Sequence, residues 1–235
     1  MKFLHSLLFL LSFHAVFAQV IEQPMFGSSS HKTLKIEQIE FTGDYTILSM
    51  SVENQKTDGD AWFCADKEIF LKNSNGEERF DIIKKEGIPT CPEQYKFKEY
   101  AEILYFKLYF PKIPRSIQEV DLVESCAVGC MHMTAIVLDK NLDNALKLFE
   151  RGTMLYRTEK KQEALDDFLA IAKLGKFKER PIYAYSLYII PKIFQELDKL
   201  QEARTWFASL QSSNVKNKAY FVNKLREIAF FRALP

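Results

Sequence analysis

The sequence is short of the residues that mark fibrous, low-complexity and nucleic-acid-binding chains. Its 235 residues include eight Gly and eight Pro, too few for collagen-like or low-complexity classes. Neither charge sign is in excess, because 32 Lys and Arg face 31 Asp and Glu, so a nucleic-acid partner is not expected. No internal apolar run reaches the roughly 18 residues that a membrane span needs. With 47% hydrophobic residues, the chain is expected to fold around a large core.

The first residues have the pattern of an export signal. Lys2 is followed by an almost continuous apolar run as far as Phe13, and the β-branched Val16 and the small Ala18 then suit a cleavage point after Ala18. We therefore expect residues 1–18 to be a signal peptide that is removed on secretion to the periplasm or the cell exterior. A glycine and three consecutive serines then predict that residues 19–31 form a flexible tether.

An exported chain is expected to oxidise its cysteines, which are even in number. They are Cys64, Cys91, Cys126 and Cys130. Four cysteines allow three connectivities. The three-residue spacer between Cys126 and Cys130 ends in glycine, which suits a hairpin whose two cysteines face each other, and elimination then pairs Cys64 with Cys91.

Two other interpretations of the second cysteine pair are weaker. A thiol-redox pair usually has two spacer residues at a helix N-terminus, whereas Cys126 and Cys130 have three spacers in β-rich surroundings. A metal site made of Cys126, Cys130 and His132 would have three visible ligands in an oxidising compartment. We therefore predict structural disulfides, no metal and no cofactor.

Short β-rich segments with turn signals between them occupy residues 32–138. Asn75 and Gly76 form a strong hairpin signal, and apolar residues alternate on one face of a long run from 102 to 110. This pattern predicts an Ig-like antiparallel β-sandwich domain of about seven strands. The segments 62–66 and 87–92 also resemble the β-sandwich modules of exported bacterial proteins that have no assigned activity.

The apolar period becomes helical in residues 139–235, which we predict to form a second domain. Gln162-Glu163-Ala164 followed by Phe168 recurs 39 residues later as Gln201-Glu202-Ala203 followed by Phe207. A fixed period of about 40 residues with paired helices is typical of a helical solenoid. Gly175 is expected to end the second helix, and residues 215–231 are expected to form one terminal helix.

These repeats resemble the tetratricopeptide repeat family. The positions that match its small and large consensus residues are Leu148, Gly152, Leu155, Ala164, Phe168 and Ile171 in one repeat and Leu187, Ile190, Phe194, Ala203, Phe207 and Leu210 in the next. Gly152 and Ala164 would let the paired helices approach closely. Pro191 departs from the pattern and is expected to kink its helix. The period of 39 exceeds the usual length of about 34, which implies a longer connection through residues 176–180.

The resemblance implies a TPR-like groove on the inner face of the first helices, suited to a peptide. Aromatic, cationic and amide side chains are expected there. The candidate residues are Tyr156, Arg157, Tyr185, Tyr188, Lys192 and Gln195, with Phe149 and Thr153 beside them. An alternative is that the tyrosines pack against neighbouring helices.

Charge divides between the two predicted domains. Residues 19–138 have a net charge of −6 and residues 139–235 a net charge of +6. The split favours docking of the two halves, or else an acidic partner for the helical half. The neighbouring carboxylates Asp166 and Asp167 are expected to lie on a solvated helix face.

No catalytic motif was found, and the chain is not expected to be an enzyme. A nucleophile elbow, a phosphate-binding loop and a zinc-protease motif are all missing from the sequence. The leading hypothesis is an exported interaction or scaffold module whose partner is a protein or peptide. The alternative is a β-sandwich that binds a peptide or carbohydrate through Trp62 and nearby aromatic residues. A thiol-redox protein is a third, weaker hypothesis.

Overall fold

The computed structural model describes residues 19–57, 60–126, 129–175 and 177–235. The predicted signal peptide, residues 1–18, lies outside these described residues. Within them a β-rich half precedes a helical half, which confirms the predicted order of strands and then helices.

Twelve strands lie in the described part of the β-rich half. They are β1 (Gln19–Glu22), β2 (Ser28–Ser29), β3 (Lys35–Phe41), β4 (Tyr45–Glu53), β5 (Trp62–Phe63), β6 (Ile69–Asn73), β7 (Arg79–Asp81), β8 (Lys84–Glu86), β9 (Tyr95–Lys96), β10 (Ile103–Pro111), β11 (Glu119–Glu124) and β12 (His132–Val137). This number exceeds the expected count of about seven. Five of the twelve have two or three residues, which is too short to show an alternating pattern in a sequence.

Two five-stranded antiparallel sheets bury their side chains in one hydrophobic core. Their strand orders are β1-β3-β4-β10-β8 and β2-β12-β11-β6-β7, and β5 and β9 form a separate pair. Leu48 lies opposite Leu108 in the first sheet, and Leu71 lies opposite Leu122 in the second. These four side chains are fully buried in the same cluster. The alternation seen in the sequence from 102 to 110 therefore marks the core face of β10.

The segment 19–31 is not a free tether in the structure. β1 pairs with β3, β2 pairs with β12, and Ile21 is buried in the core. Gly27 suggested flexibility, but a Cβ at this position would lie 2.9 Å from Oγ1 of Thr134. The glycine is therefore explained by a close approach between neighbouring chain segments rather than by a flexible linker.

Six helices follow the sheets. They are α1 (Lys140–Arg157), α2 (Lys161–Leu174), α3 (Pro181–Glu196), α4 (Leu200–Ser212), α5 (Lys218–Arg226) and α6 (Ala229–Arg232). Asp139 caps α1 by accepting hydrogen bonds from two backbone amides. Gly175 ends α2 with a φ of 58°, as predicted. The single helix expected at the C-terminus is instead two, because the chain is extended at Ile228.

The small residues predicted between α1 and α2 lie at a close helix contact. A Cβ added at Gly152 would lie 3.1 Å from Cβ of Asp167 and 3.2 Å from the Phe168 ring, and Ala164 is fully buried. Asp167 is itself buried and pairs with Arg151 through two hydrogen bonds, so the expectation of a solvated face is wrong for this residue. α3 continues through Pro191.

The two halves meet at a small apolar cluster and several polar contacts. The buried members of this apolar cluster are Val137, Leu142, Ala145, Phe177 and Ile182. Asp143 of α1 accepts a hydrogen bond of 2.7 Å from the backbone amide of Met25. Arg180 forms a 2.7 Å ion pair with Glu119 and donates to Gln118. The ion pair joins the positively charged half to the negatively charged half, as the docking interpretation expects.

The long connection between α2 and α3 provides much of this junction. Phe177 and Arg180 both belong to it, and both reach residues of the β-rich half or the apolar cluster beside it. The connection between α2 and α3 therefore helps to attach the helices to the sheets.

Candidate functional site

All four cysteines are paired in the structure. Cys64 is bonded to Cys91 and Cys126 to Cys130, which is the connectivity favoured by the spacing. Neither pair presents a thiolate to a metal ion. In the part of the chain that the structure describes, no group of three or more His, Cys, Asp or Glu side chains could hold a metal ion.

One surface of the helical half carries most of the predicted groove residues. We call it the aromatic face. Its members are Phe149, Thr153, Tyr156 and Arg157 of α1, Tyr185, Tyr188 and Lys192 of α3, and Phe221 of α5. Helices α1, α3 and α5 supply the face. Residues three or four positions apart lie on one side of each helix, so the side chains of α1 lie beside those of α3.

A continuous series of ring contacts crosses the aromatic face. The Tyr185 ring lies 5.4 Å from Phe149 and 5.7 Å from Tyr188, and Tyr188 lies 5.3 Å from Phe221. These distances and the tilted or edge-on angles are those of favourable aromatic pairs. The contacts join α1, α3 and α5, so the face is held by packing rather than by loops.

Tyr156 is committed to contacts inside the chain. Its hydroxyl donates a 2.7 Å hydrogen bond to Oε1 of Glu196, and this carboxylate also pairs with Lys161 and Lys192. The Lys192 ammonium lies 5.4 Å from the centre of the Tyr156 ring. Burial is the main cause of a raised pKa of Tyr156, and the hydrogen bond to Glu196 is the second cause. Tyr156 therefore stabilises the aromatic face, and its hydroxyl proton is not available to a ligand.

Tyr185 and Tyr188 have hydroxyls that the described residues leave available to a ligand. Both side chains are half-buried, and within the described residues neither hydroxyl makes a hydrogen bond to a protein group. Burial raises the pKa of both phenols, so they are neutral donors and acceptors at neutral pH. They are therefore suited to a ligand's backbone carbonyl or carboxylate.

Arg157 and Thr153 line a small cavity at one end of the aromatic face. Its volume is about 400 Å³, and Phe149, Met154, Thr158 and the carboxylate-bearing Glu150 also border it. Oγ1 of Thr153 is buried there and has no hydrogen-bond partner among the described residues. Arg157 is exposed and makes no ion pair with the described residues. The exposed Arg157 guanidinium is therefore the group at this cavity that could bind an anionic group.

The six predicted groove residues are thus partly brought together. Tyr156 and Lys192 meet at Glu196, and Tyr185 and Tyr188 are in ring contact. Gln195 is half-buried on α3 and makes no side-chain hydrogen bond to the described residues. Phe221 and Glu196 were not predicted. The terminal helix was predicted without a face being assigned to it, and Glu196 is the last residue of α3.

A second surface lies in the β-rich half. It is a pocket of about 790 Å³ bordered by Trp62, by both disulfides and by the segment after β4. Trp62 is 51% exposed, so it is not buried under a disulfide. Glu124 is buried beside the pocket and accepts hydrogen bonds from the amides of Asp66 (2.5 Å) and Met131 (2.6 Å). It therefore stabilises the pocket wall.

Comparison with known proteins finds no matching protein family, no matching curated protein and no matching solved structure. Among the described residues, no helix combines the length and apolarity required for crossing a membrane.

Replacing Tyr156 by phenylalanine is expected to destabilise the helical half in a pH-dependent way. The hydrogen bond to a charged carboxylate contributes about 1.5–3 kcal/mol, so the free energy of unfolding should fall by up to that amount at neutral pH. The raised pKa favours the neutral phenol on folding. This stabilisation is present below the pKa of an unfolded tyrosine, about 10, and is lost as the pH rises above it.

The difference in the free energy of unfolding between wild type and Tyr156→Phe should therefore become smaller above about pH 10. Urea unfolding followed by circular dichroism at several pH values measures it. Tyr105→Phe is the control, because Tyr105 is an exposed tyrosine of the β-rich half. A difference in the free energy of unfolding that stays constant or increases above about pH 10 would contradict the role assigned to the Tyr156 hydroxyl.

Proposed function

We propose that this chain is an exported, non-enzymatic interaction module whose TPR-like helical half binds an acidic peptide segment of a partner protein. The aromatic face is the proposed binding surface. The Ig-like β-sandwich and the helices would act as one scaffold through the junction at Phe177 and Arg180. Export is supported by the pattern of the first 18 residues and by two disulfides, which suit an oxidising compartment.

The observation that carries the proposal is the unused polar chemistry on an apolar face. Arg157 has no ion pair among the described residues, Thr153 has a buried unpartnered hydroxyl, and Tyr185 has a free one. Peptide backbones need hydrogen-bond partners at such a surface, and aromatic rings supply contact area with little loss of side-chain entropy. The arrangement therefore suits a peptide with apolar and polar groups in alternation.

Charge favours an acidic peptide over a basic one. The helical half has a net charge of +6, and on the aromatic face Arg157 makes no ion pair with the described residues, whereas Lys192 is paired with Glu196. The carboxylate of Glu196 is already engaged by Lys161, Lys192 and the Tyr156 hydroxyl, so it offers little to a basic ligand. Complementary charge accelerates association and rejects partners of the same sign.

The test is a selection of displayed random peptides on the purified mature chain. We expect enriched peptides to combine acidic with aromatic or aliphatic residues. Their affinity should fall about tenfold in Arg157→Glu, and less in Tyr185→Phe and Tyr188→Phe, which keep the ring packing and remove the free hydroxyls.

Arg204→Glu is the matched control, because Arg204 is an exposed cation on α4, outside the aromatic face. It should leave the affinity unchanged within about twofold. The proposal fails if no peptide is enriched, or if Arg157→Glu and Arg204→Glu bind the enriched peptides equally well.

A further inference from the structure

The pocket of the β-rich half has features of a ligand site that the interaction proposal does not use. Trp62 lies on β5, which pairs with β9, and its neighbours Ala61 and Phe63 are buried. Strand alternation thus turns the indole outward while the adjacent residues fix the strand to the core. The Phe63 ring contacts His31 at 5.6 Å and Phe106 at 6.1 Å.

The walls around Trp62 are held by covalent and hydrogen bonds. The Cys64–Cys91 disulfide begins two residues after Trp62. The backbone amide of Ala65 donates to the carbonyl of Pro89, and its carbonyl accepts from the amide of Cys91. Asn54 orders the opposite rim. Its Oδ1 accepts from the amide of Lys56, and its Nδ2 donates to the carbonyls of Lys56 and Glu99. Such a surface is organised before any ligand arrives, which lowers the entropic cost of binding.

Several polar side chains of the rim remain unused. Gln55, Gln94, Glu53, Lys32 and Lys56 border the pocket, and none makes a side-chain hydrogen bond or ion pair to the described residues. The side-chain amides of Gln55 and Gln94 each have both hydrogen-bond donors and an acceptor. The free charges are those of two lysines and one glutamate, a net of +1. Asp66 and Glu124 also border the pocket, but their carboxylates are occupied by backbone amides.

This combination is chemically matched to a sugar. A pyranose has an apolar face of C–H groups that stacks on an aromatic ring, and hydroxyls around its edge that both donate and accept hydrogen bonds. A nearly neutral rim disfavours a strongly charged ligand. The pocket volume of about 790 Å³ lies within the range of small-ligand sites, about 300–1,000 Å³.

We propose that the pocket beside Trp62 binds a neutral oligosaccharide, with one sugar ring stacked on the indole and its hydroxyls bonded to Gln55, Gln94 and Glu53. This site lies in the other half of the chain from the aromatic face. Its success or failure in a test is therefore independent of the peptide-binding proposal.

Tryptophan fluorescence tests this site with little interference. The sequence has two tryptophans, Trp62 and Trp206, so a Trp206→Phe chain reports on Trp62 alone. Malto-, cello-, xylo-, manno- and chito-oligosaccharides are titrated to millimolar concentration. We expect at least one series to change the Trp62 emission and to bind measurably by isothermal titration calorimetry.

Variants then localise the binding. Trp62→Ala should weaken the affinity by about tenfold or more, and Gln94→Ala by about threefold to tenfold. Tyr105→Ala is the matched control, because Tyr105 is 63% exposed and does not border the pocket. It should leave the affinity unchanged. Circular dichroism checks that each variant is folded, and Gln94→Ala keeps the test valid if Trp62→Ala is not.

Three results would overturn the proposal. The first is that no oligosaccharide series binds the folded chain at millimolar concentration. The second is binding that Trp62→Ala and Gln94→Ala leave unchanged. The third is a change of Trp62 emission produced by the enriched acidic peptides and by none of the sugars, which would make the pocket a peptide site.

Discussion

Replacing Cys64 and Cys91 together by alanine is expected to lower the free energy of unfolding by about 3.5 kcal/mol. The two cysteines are 27 residues apart, so their bond removes considerable loop entropy from the unfolded chain. In the folded chain it also attaches the segment at Cys91 beside β5, where Ala65 forms backbone hydrogen bonds with Pro89 and Cys91. Denaturant unfolding of the purified double variant measures the loss.

The second disulfide provides the matched comparison. Cys126 and Cys130 are only 4 residues apart, and the same loop-entropy argument gives a loss of about 2 kcal/mol for Cys126→Ala with Cys130→Ala. The account requires the first double variant to be the less stable of the two. Equal losses, or the reverse order, would show that chain entropy does not explain the contribution of these bonds.

Phe177→Ala is expected to cost about 3–5 kcal/mol of stability. The side chain is 4% exposed and packs with Val137 of β12, Leu142 of α1 and Ile182 of α3. Removing the ring leaves a cavity at the junction between the two halves, so the cost includes lost burial and lost contacts. Because the junction joins the halves, we expect the wild type to unfold in one transition and Phe177→Ala to unfold in two.

Tyr100→Ala is the control for Phe177→Ala, since Tyr100 is an exposed aromatic residue in a turn. Its loss should stay within about 0.5 kcal/mol, as is usual for surface substitutions. A loss below about 1 kcal/mol for Phe177→Ala, with one transition retained, would show that the apolar cluster does not hold the halves together.

The sequence could predict features that depend on local spacing. The hairpin signal at Asn75 and Gly76 and the left-handed end of α2 at Gly175 were read from neighbouring residues, and the small residues at the α1–α2 contact were predicted from the resemblance to tetratricopeptide repeats. The disulfide pairing followed from the cysteine spacing and the predicted strands. Each of these features is determined by a few residues close together in the chain, where backbone sterics and periodicity act directly.

Features that depend on distant partners were missed. Asp167 seemed to belong to a solvated pair of aspartates, but Arg151 lies 16 residues earlier and pairs with it across two helices. Segment 19–31 seemed to be a tether because nothing local reveals that β1 pairs with β3 or that Gly27 is close to Thr134. A pattern of polar and small residues does not distinguish a solvated segment from one packed against another element.

The candidate site shows the same division. The helical period placed Tyr185, Tyr188 and Arg157 on first helices of the repeats, where the structure has them. It could not show that Glu196 would engage Tyr156 or that Phe221 would extend the row of rings, because both contacts need the packing of separate helices. The pocket beside Trp62 combines segments from across the β-rich half and was not predictable as a cavity.

The most direct test of the interaction proposal exchanges charge on both sides of the contact. The affinity of an enriched acidic peptide is measured by fluorescence anisotropy, together with a version in which lysine replaces each acidic residue. The wild-type chain should prefer the acidic peptide by about tenfold or more, and Arg157→Glu should cancel or reverse this preference. A preference that is unchanged in Arg157→Glu would contradict the binding of an acidic peptide at the aromatic face.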